Sequence, residues 1–127
     1  QDAQAGDILL VRDGTYLVGT SVLLCEDALP LLYCGGIYKI RCLDHERLPP
    51  GLLFALLNTA YLRRQMKNKQ FTRDVIDTLG QRVNELLLPI PNDVGTAREL
   101  GRIFASWLGS RTHYRAELGE MTRSMFL

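Results

Sequence analysis

Two apolar runs separated by Arg-Asp-Gly-Thr, in the stretch ILLVRDGTYLVG at residues 8–19, constrain the fold more than any other feature of the sequence. Short apolar runs joined by Asp-Gly are typical of a β-hairpin, because Gly14 can adopt the positive φ that a tight primed turn requires. We therefore expect paired strands at Ile8–Arg12 and Tyr16–Gly19, with residues 12–16 at the exposed tip. Turns favour these residue types whether or not they bind anything, so the hairpin alone leaves the role of its tip open.

The remainder of the first third also predicts β structure, and a helix follows it. Apolar runs at 22–25 and 31–34 precede a Gly-Gly pair and a strand expected at 37–43. Leu-Pro-Pro-Gly at 48–51 then opens the segment LLFALLNTAYLRRQM, since proline is tolerated in the first turn of a helix. One face of this single predicted helix should pack on the sheet. That face carries Leu53, Leu56, Leu57, Ala60 and Tyr61.

The C-terminal part predicts a different kind of structure. Residues 76–91, IDTLGQRVNELLLPIP, indicate a short helical turn and then an extended apolar strand stopped by prolines. From residue 100 onward, apolar positions alternate spacings of four and three, the pattern of a coiled-coil seam that Arg111 interrupts. Such a seam packs either on another helix or on its own domain. Its candidate partner-facing residues are Leu100, Phe104, Trp107, Tyr114, Leu118 and Met121.

These patterns together predict an α+β fold. We expect a small mixed β-sheet packed by a helix over residues 1–95, followed by a long C-terminal spacer helix with a coiled-coil-like seam over residues 96–127. With 127 residues, 46% of them apolar and 23% charged, the chain is ordinary for one globular domain.

The sequence contains no apolar stretch near the roughly 18–20 residues that a membrane span needs, and its N-terminus lacks the pattern of a signal peptide. We therefore expect a cytoplasmic protein without a membrane partner. The opening QDAQAGD lacks an initiator Met and runs almost directly into a strand. This predicts that the chain is a piece of a longer protein.

The charge distribution is uneven although the net charge is only +1. Residues 61–73 contain no acidic residue and five basic ones: Arg63, Arg64, Lys67, Lys69 and Arg73. A cluster of this kind is typical of a polyanion-binding surface, although a solvated helix face has the same composition.

The three cysteines predict reduced thiols, because they are odd in number and form no Cys-x-x-Cys pair. Cys42 and His45 could supply two zinc ligands, with Cys25 and Cys34 completing four. All three cysteines lie in or beside apolar runs, however, where a free Cys usually packs as a small hydrophobe. We therefore expect no metal site.

Three stretches, taken in order, resemble a known family. They are GDILLVRDGTYLVG at 6–19, LPPGLLFALLNTAYLRRQ at 48–65 and DTLGQRVNELLLPIP at 77–91, the last followed by a long helix. This combination is similar to the C-terminal half of a target-recognition domain. Such domains occur in the specificity subunits of type I restriction-modification systems and at the C-terminus of fused N6-adenine DNA methyltransferases. The resemblance covers residues 6 to about 125, and the third stretch is most similar to the methyltransferase branch.

The resemblance implies a module that reads double-stranded DNA and a spacer helix that packs against another helix. It also implies a methyltransferase domain or subunit as partner, helix-mediated self-association as a further option, and no catalysis within this chain. S-adenosylmethionine is then expected only in a catalytic domain outside it, and the chain itself should hold no cofactor. Family members carry a preceding stretch of similar size, which is absent here.

DNA recognition needs cations for phosphates and planar hydrogen-bonding side chains for base edges. Arg12 at the hairpin could reach a guanine, Thr15 could touch a thymine methyl group, and Tyr16 and Phe71 could stack. We expect the hairpin tip and the segment 67–73 to lie on one surface. The DNA-binding candidates are Arg12, Thr15, Tyr16, Lys67, Asn68, Lys69, Gln70 and Arg73.

Two other classes of function compete with DNA recognition. The first is a protein–protein interaction module without DNA contact, in which the basic segment faces an acidic protein surface. The second is a fragment of a papain-like cysteine hydrolase, because Gly-Asp-Ile-Leu also opens some of those enzymes. Such enzymes place the nucleophilic Cys at a helix N-terminus, and none of the three cysteines begins a predicted helix.

Overall fold

The structure of the chain is a computed structural model. It describes residues 2–14, 16–73 and 76–126, apart from the side chains of residues 73, 109–119, 122 and 126. The fold is α+β, with two small antiparallel sheets and several helices. The strands are β1 (Ile8–Val11), β2 (Asp13–Gly14), β3 (Ser21–Leu23), β4 (Ile37–Ile40), β5 (Phe71–Arg73) and β6 (Ile76–Thr78), and the helices are α1 (Pro50–Leu57), α2 (Ala60–Lys69) and α3 (Val94–Phe126).

The first sheet has the order β3-β1-β4, with both pairings antiparallel. Its central strand is the apolar run Ile8–Val11, in which Ile8 pairs with Leu23 on one side and Ile40 on the other. Residues 8–10 are all buried, because this strand has a neighbour on each edge and its side chains pack into the core. The strand predicted at Ile8–Arg12 is confirmed over Ile8–Val11, although its predicted partner is not.

The second sheet has the order β2-β6-β5 and is also antiparallel. The predicted tight hairpin at 8–19 is wrong, because β1 pairs with Ser21–Leu23 while residues 13–14 leave the first sheet and pair with β6. Arg12 lies at the crossing point, where its backbone N–H donates to Gly36 O and its carbonyl accepts from Leu79 N. The single mixed sheet expected from the sequence is therefore two separate antiparallel sheets.

The predicted single helix is two helices that meet at Asn58 and Thr59. The Thr59 hydroxyl accepts a hydrogen bond from Leu62 N at 3.2 Å, as an N-cap does, so α2 is a separate helix that starts at Ala60. The buried face changes as a result. Leu53 and Leu57 face the core as expected, but Tyr61 is exposed, as is Ala60, and Leu62 is buried instead.

Two apolar clusters form the core. One packs Ile8 and Cys42 against Leu53 and Leu57 of α1. The other packs Leu10 of β1 and Leu79, which follows β6, against α2. Leu62 and Met66 provide the α2 side of that second cluster, so α2 is fixed against both sheets.

Residues 80–91 differ in part from the prediction. A 3-10 helix spans Gly80–Glu85, in agreement with the expected short helical turn. The apolar segment that follows, predicted as an extended strand, belongs to neither sheet, and Ile90 N donates to Leu88 O at 2.9 Å within it. The side-chain amide of Gln65 takes the place of a neighbouring strand, because it donates to Leu87 O at 2.9 Å and accepts from Leu87 N at 2.8 Å.

Helix α3 begins after Asp93, whose carboxylate accepts hydrogen bonds from the backbone and hydroxyl of Thr96 at 2.7 and 2.8 Å. Its first turns pack on α1, with Ala97 and Gly101 buried in the contact. Within the described residues, no helix combines the length and apolar character needed to cross a bilayer.

Candidate nucleic-acid interface

A concave surface of about 440 Å³ lies between the loop after β2 and the C-terminal half of α2. We call it the Tyr16 groove. It brings Tyr16 together with Lys67 and Gln70, three of the residues that the sequence marked as DNA-binding candidates. The residues that line it are Tyr16, Val18, Gly19, Arg63, Met66, Lys67, Gln70 and Asp77.

Gly19 sets the distance between the loop and the helix. Its φ of 87° is a conformation that residues with a Cβ rarely adopt, and a Cβ placed there would lie 3.2 Å from Met66 Sδ. The loop therefore approaches α2 closely while Tyr16 stays 93% exposed beside it. An exposed aromatic ring next to a basic helix is a surface that a nucleotide can stack on.

The cations of α2 are not equivalent. Arg63, Arg64 and Lys67 are exposed, and Arg63 Nη2 donates to Asn58 Oδ1 at 3.2 Å. Lys69 instead forms an ion pair with Glu85 at 2.7 Å, and this hydrogen bond lowers the pKa of the Glu85 carboxyl group. The positive charge of Lys69 is thus offset within the chain, while those of the first three residues face solvent.

The remaining candidates of the basic segment are spread over two elements. Asn68 is exposed on the last turn of α2. Phe71 belongs to β5, and the guanidinium of Arg82 lies 4.7 Å from the centre of its ring, which covers one face. Arg73 is the last residue of β5, with its side chain outside the described part of the chain, and Thr15 also lies outside the described residues.

Arg12 lies in a second concavity, of about 450 Å³, on the other face of the second sheet. We call it the Arg12 pocket. Successive residues of a strand point to opposite faces, so Asp77 lines the Tyr16 groove whereas its neighbours in β6 line this pocket. Tyr16 and Lys67 therefore share one surface, whereas Arg12 lies on the opposite face of the second sheet. The prediction of one shared surface is wrong for Arg12. The lining residues are Arg12, Asp13, Tyr38, Phe71, Ile76, Thr78, Gly80 and Gln81.

A hydrogen-bonded chain of polar groups organises this pocket. Arg12 donates from Nε to Asp13 Oδ2 at 3.0 Å and from Nη2 to the same oxygen at 2.8 Å. The Thr78 hydroxyl donates to the other Asp13 oxygen and accepts from Gly80 N at 3.1 Å. The hydrogen bond to Asp13 raises the pKa of Arg12, so the guanidinium stays charged.

Tyr38 forms the floor beside Arg12. Its hydroxyl donates to Gly80 O, and the guanidinium carbon of Arg12 lies 5.9 Å from its ring centre. Burial raises the pKa of the Tyr38 hydroxyl, which therefore remains a donor at neutral pH. Sequence reasoning missed Tyr38, Asp13 and Thr78 as site residues. Only the adjacency of Asp13 to Arg12 was visible in the sequence, because Thr78 reaches the site through long-range strand pairing.

The start of the predicted coiled-coil seam packs on the chain's own domain. Leu100 and Phe104 are half-buried, and Phe104 and Trp107 line a shallow apolar groove of about 210 Å³ with α1. Trp107 is nevertheless 64% exposed, and Met121 is exposed as well. The side chains of Tyr114 and Leu118 lie outside the described part of the chain.

The cysteines occupy two kinds of environment. Cys42 is buried as expected, and burial raises the pKa of its thiol, which disfavours a nucleophilic thiolate. Cys25 and Cys34 are exposed, contrary to the expected packing. Among the described residues no group of three or more His, Cys, Asp or Glu side chains could hold a metal ion.

No family model, curated protein or solved structure matches this chain.

Proposed function

We propose that the chain is a sequence-specific double-stranded DNA recognition module, non-catalytic by itself, of a restriction-modification system or an N6-adenine DNA methyltransferase. The observation that carries this proposal is the Tyr16 groove, where an exposed aromatic ring, two exposed cations and a carboxamide line one concave surface. These are the side-chain types that contact phosphates and purine edges.

Within this proposal the residues divide by role. Arg63, Arg64 and Lys67 neutralise phosphates, because their charges face solvent along one exposed segment of α2. Gln70 and Asn68 carry planar amides that suit an adenine edge, which offers one acceptor and one donor in the major groove. Lys69 contributes less, since Glu85 already pairs with it.

The second sheet supplies the element that enters the DNA. The major groove admits a two-stranded β-ribbon, and the second sheet is a small one built from strands of two or three residues. Arg12 lies on one face of this sheet and the Tyr16 groove on the other. A duplex that receives the edge of the sheet would meet both faces.

In this proposal α3 is the spacer helix that connects recognition to catalysis. Its exposed apolar side chains, Trp107 and Met121, suit a helix of a methyltransferase domain or subunit, or of a second copy of this chain. S-adenosylmethionine and the transferred methyl group belong to that partner.

The proposal is tested by the salt dependence of DNA binding. In the full-length protein, the double variant Arg63→Ala/Lys67→Ala should lower the slope of log K against log salt by about two units for a random-sequence duplex, since each lost phosphate contact removes about one unit. Fluorescence anisotropy titrations over a series of salt concentrations measure that slope.

Arg98→Ala is the matched control, because it removes one exposed cation that lies on α3 beside Glu46 and lines neither concavity. It should leave the slope unchanged. Equal slopes for the double variant and the wild type would overturn the proposal. A wild-type protein that binds no duplex even at low salt would favour the interaction module instead.

A further inference from the structure

We propose that Asp13 and Thr78 are positioning residues that hold the end of the Arg12 guanidinium ready to read one guanine, which makes Arg12 a specificity-determining residue. This inference rests on the proposed DNA-binding function and goes beyond it. It assigns one base to one side chain and explains why polar groups are linked by hydrogen bonds in the Arg12 pocket.

The geometry leaves one edge of the guanidinium available. Arginine has five N–H donors in a rigid plane, and the Nε and Nη2 side of Arg12 is occupied by Asp13 at 2.8–3.1 Å. Each hydrogen bond that the Arg12 side chain makes to another described residue uses Nε or Nη2 and not Nη1, and the side chain is 39% exposed. The Nη1 and remaining Nη2 hydrogens therefore form a two-donor fork that points away from Asp13.

The support behind Arg12 is fixed at several points. Asp13 is held by the Thr78 hydroxyl, and the two residues are partners in the register of β2 and β6. Thr78 is fixed in turn by Gly80 N, and the backbone of Arg12 is bonded to Gly36 and Leu79. A guanidinium held in this way loses little further freedom when it binds, so its hydrogen bonds depend strongly on the acceptor geometry.

The charge balance favours a base edge over a phosphate. The Asp13 carboxylate, 2.8 Å from Nη2, compensates the positive charge of Arg12 and repels a phosphate that approaches the pair. Guanine N7 and O6 are neutral acceptors spaced for a bidentate guanidinium. Adenine presents a donor where guanine has O6, so one of the two hydrogen bonds would be lost.

The first test compares the bases selected by the wild type and its variants from a randomised duplex library. Wild-type full-length protein should enrich a motif with a guanine that disappears in Arg12→Lys, which keeps the charge but loses the fork. Asp13→Asn and Thr78→Val should relax the preference at that same position by about tenfold and leave the other positions unchanged. A merely structural role of Asp13 would weaken all positions together.

The second test needs no variant. Each selected guanine is replaced in turn by 7-deazaguanine, which lacks the N7 acceptor, and wild-type affinity should fall about tenfold at one of them. The matched measurement on Asp13→Asn should show a smaller loss there.

The outcomes separate the two proposals. Absence of any enriched motif with no duplex binding overturns both. A motif that keeps every guanine in Arg12→Lys and Asp13→Asn overturns the guanine assignment alone. A uniform loss of affinity in Arg12→Ala with a lower salt slope also overturns it, because that result assigns Arg12 to phosphate.

Discussion

Two arginine–aspartate pairs in this molecule have similar chemistry and different surroundings. In the first sheet region, Arg41 donates from Nε and Nη2 to the two oxygens of Asp7 at 2.7 Å each, and the Asp7 side chain is 2% exposed. In the second sheet region, Arg12 makes a comparable two-nitrogen contact with Asp13, but both side chains remain partly exposed, at 39% and 21%.

Burial determines which of the two pairs contributes to stability. Removal of water from Asp7 would destabilise its charge, so Arg41 and the backbone N–H of Gln4 must compensate for lost hydration. Asp13 keeps partial access to solvent, so water screens its ion pair with Arg12 and the pair contributes less to folding than the buried one. We therefore expect Asp13 to serve binding, by holding the Arg12 guanidinium in place, more than folding. We expect the first sheet region to carry stability and the second to carry recognition.

The largest effect is expected for a substitution that destabilises the first sheet. Leu10→Ala removes a fully buried side chain that packs on Leu62 and Met66, so unfolding should cost about 2–5 kcal/mol less than in the wild type. Ile76→Ala in the second sheet, where Ile76 is 42% exposed, should lower the free energy of unfolding by less than about 1 kcal/mol. Urea denaturation followed by circular dichroism measures both, and similar losses in the two variants would contradict the division of roles.

The next prediction compares the two carboxylates directly. Asp7→Asn should lower the free energy of unfolding at neutral pH by about 1.5–3 kcal/mol, because it weakens charged hydrogen bonds at a buried site. Asp13→Asn should unfold close to the wild type. Thermal melts of the two variants at neutral pH are the measurement, and equal losses would show that exposure does not separate the pairs.

The contribution of Asp7 to stability should depend on pH. The hydrogen bonds from Arg41 lower the pKa of the Asp7 carboxyl group in the folded state. Its contribution to stability is therefore present above the unfolded pKa of about 4 and is lost as the pH falls through the lower folded pKa. The stability gap between wild type and Asp7→Asn should close over that acidic range, and a gap that stays constant would assign the effect to packing.

The sequence predicted local structure better than it predicted which strands pair. The apolar run at 8–11 predicted a buried strand because its hydrophobicity decides its environment wherever it pairs. Asp13 and Gly14 were predicted as a turn, since Asp-Gly is a strong local turn signal, but they pair with β6, more than sixty residues away. Thr59 is a local N-cap signal that could have predicted the break between α1 and α2.

The candidate site shows the same limit. Exposure of Lys67 and Arg63 follows from their polar surroundings on a short helix, and the sequence marked that basic segment. The ion pair that sets Lys69 apart from these two residues could not be predicted, because Glu85 reaches Lys69 only after the chain has passed through the second sheet. The support of Arg12 by Thr78 depends on the same strand pairing.

The smallest effect is expected at the contact between α1 and α3, and it tests how tightly these two helices pack. A Cβ at Gly101 would lie 2.7 Å from Pro49 Cγ, and the rigid proline ring cannot turn away, so Gly101→Ala should strain the contact between α1 and α3. Alanine gains about 1 kcal/mol of helix propensity, which offsets part of this strain and leaves a net loss of about 1 kcal/mol. Gly51→Ala, on the facing helix, places its Cβ at an ordinary 3.5 Å from Gly101 O and should match or exceed the wild type in stability. Urea midpoints of the two variants decide the point: if Gly101→Ala is as stable as Gly51→Ala, α3 is free to shift on α1, and the tight packing of the first sheet region ends at α1.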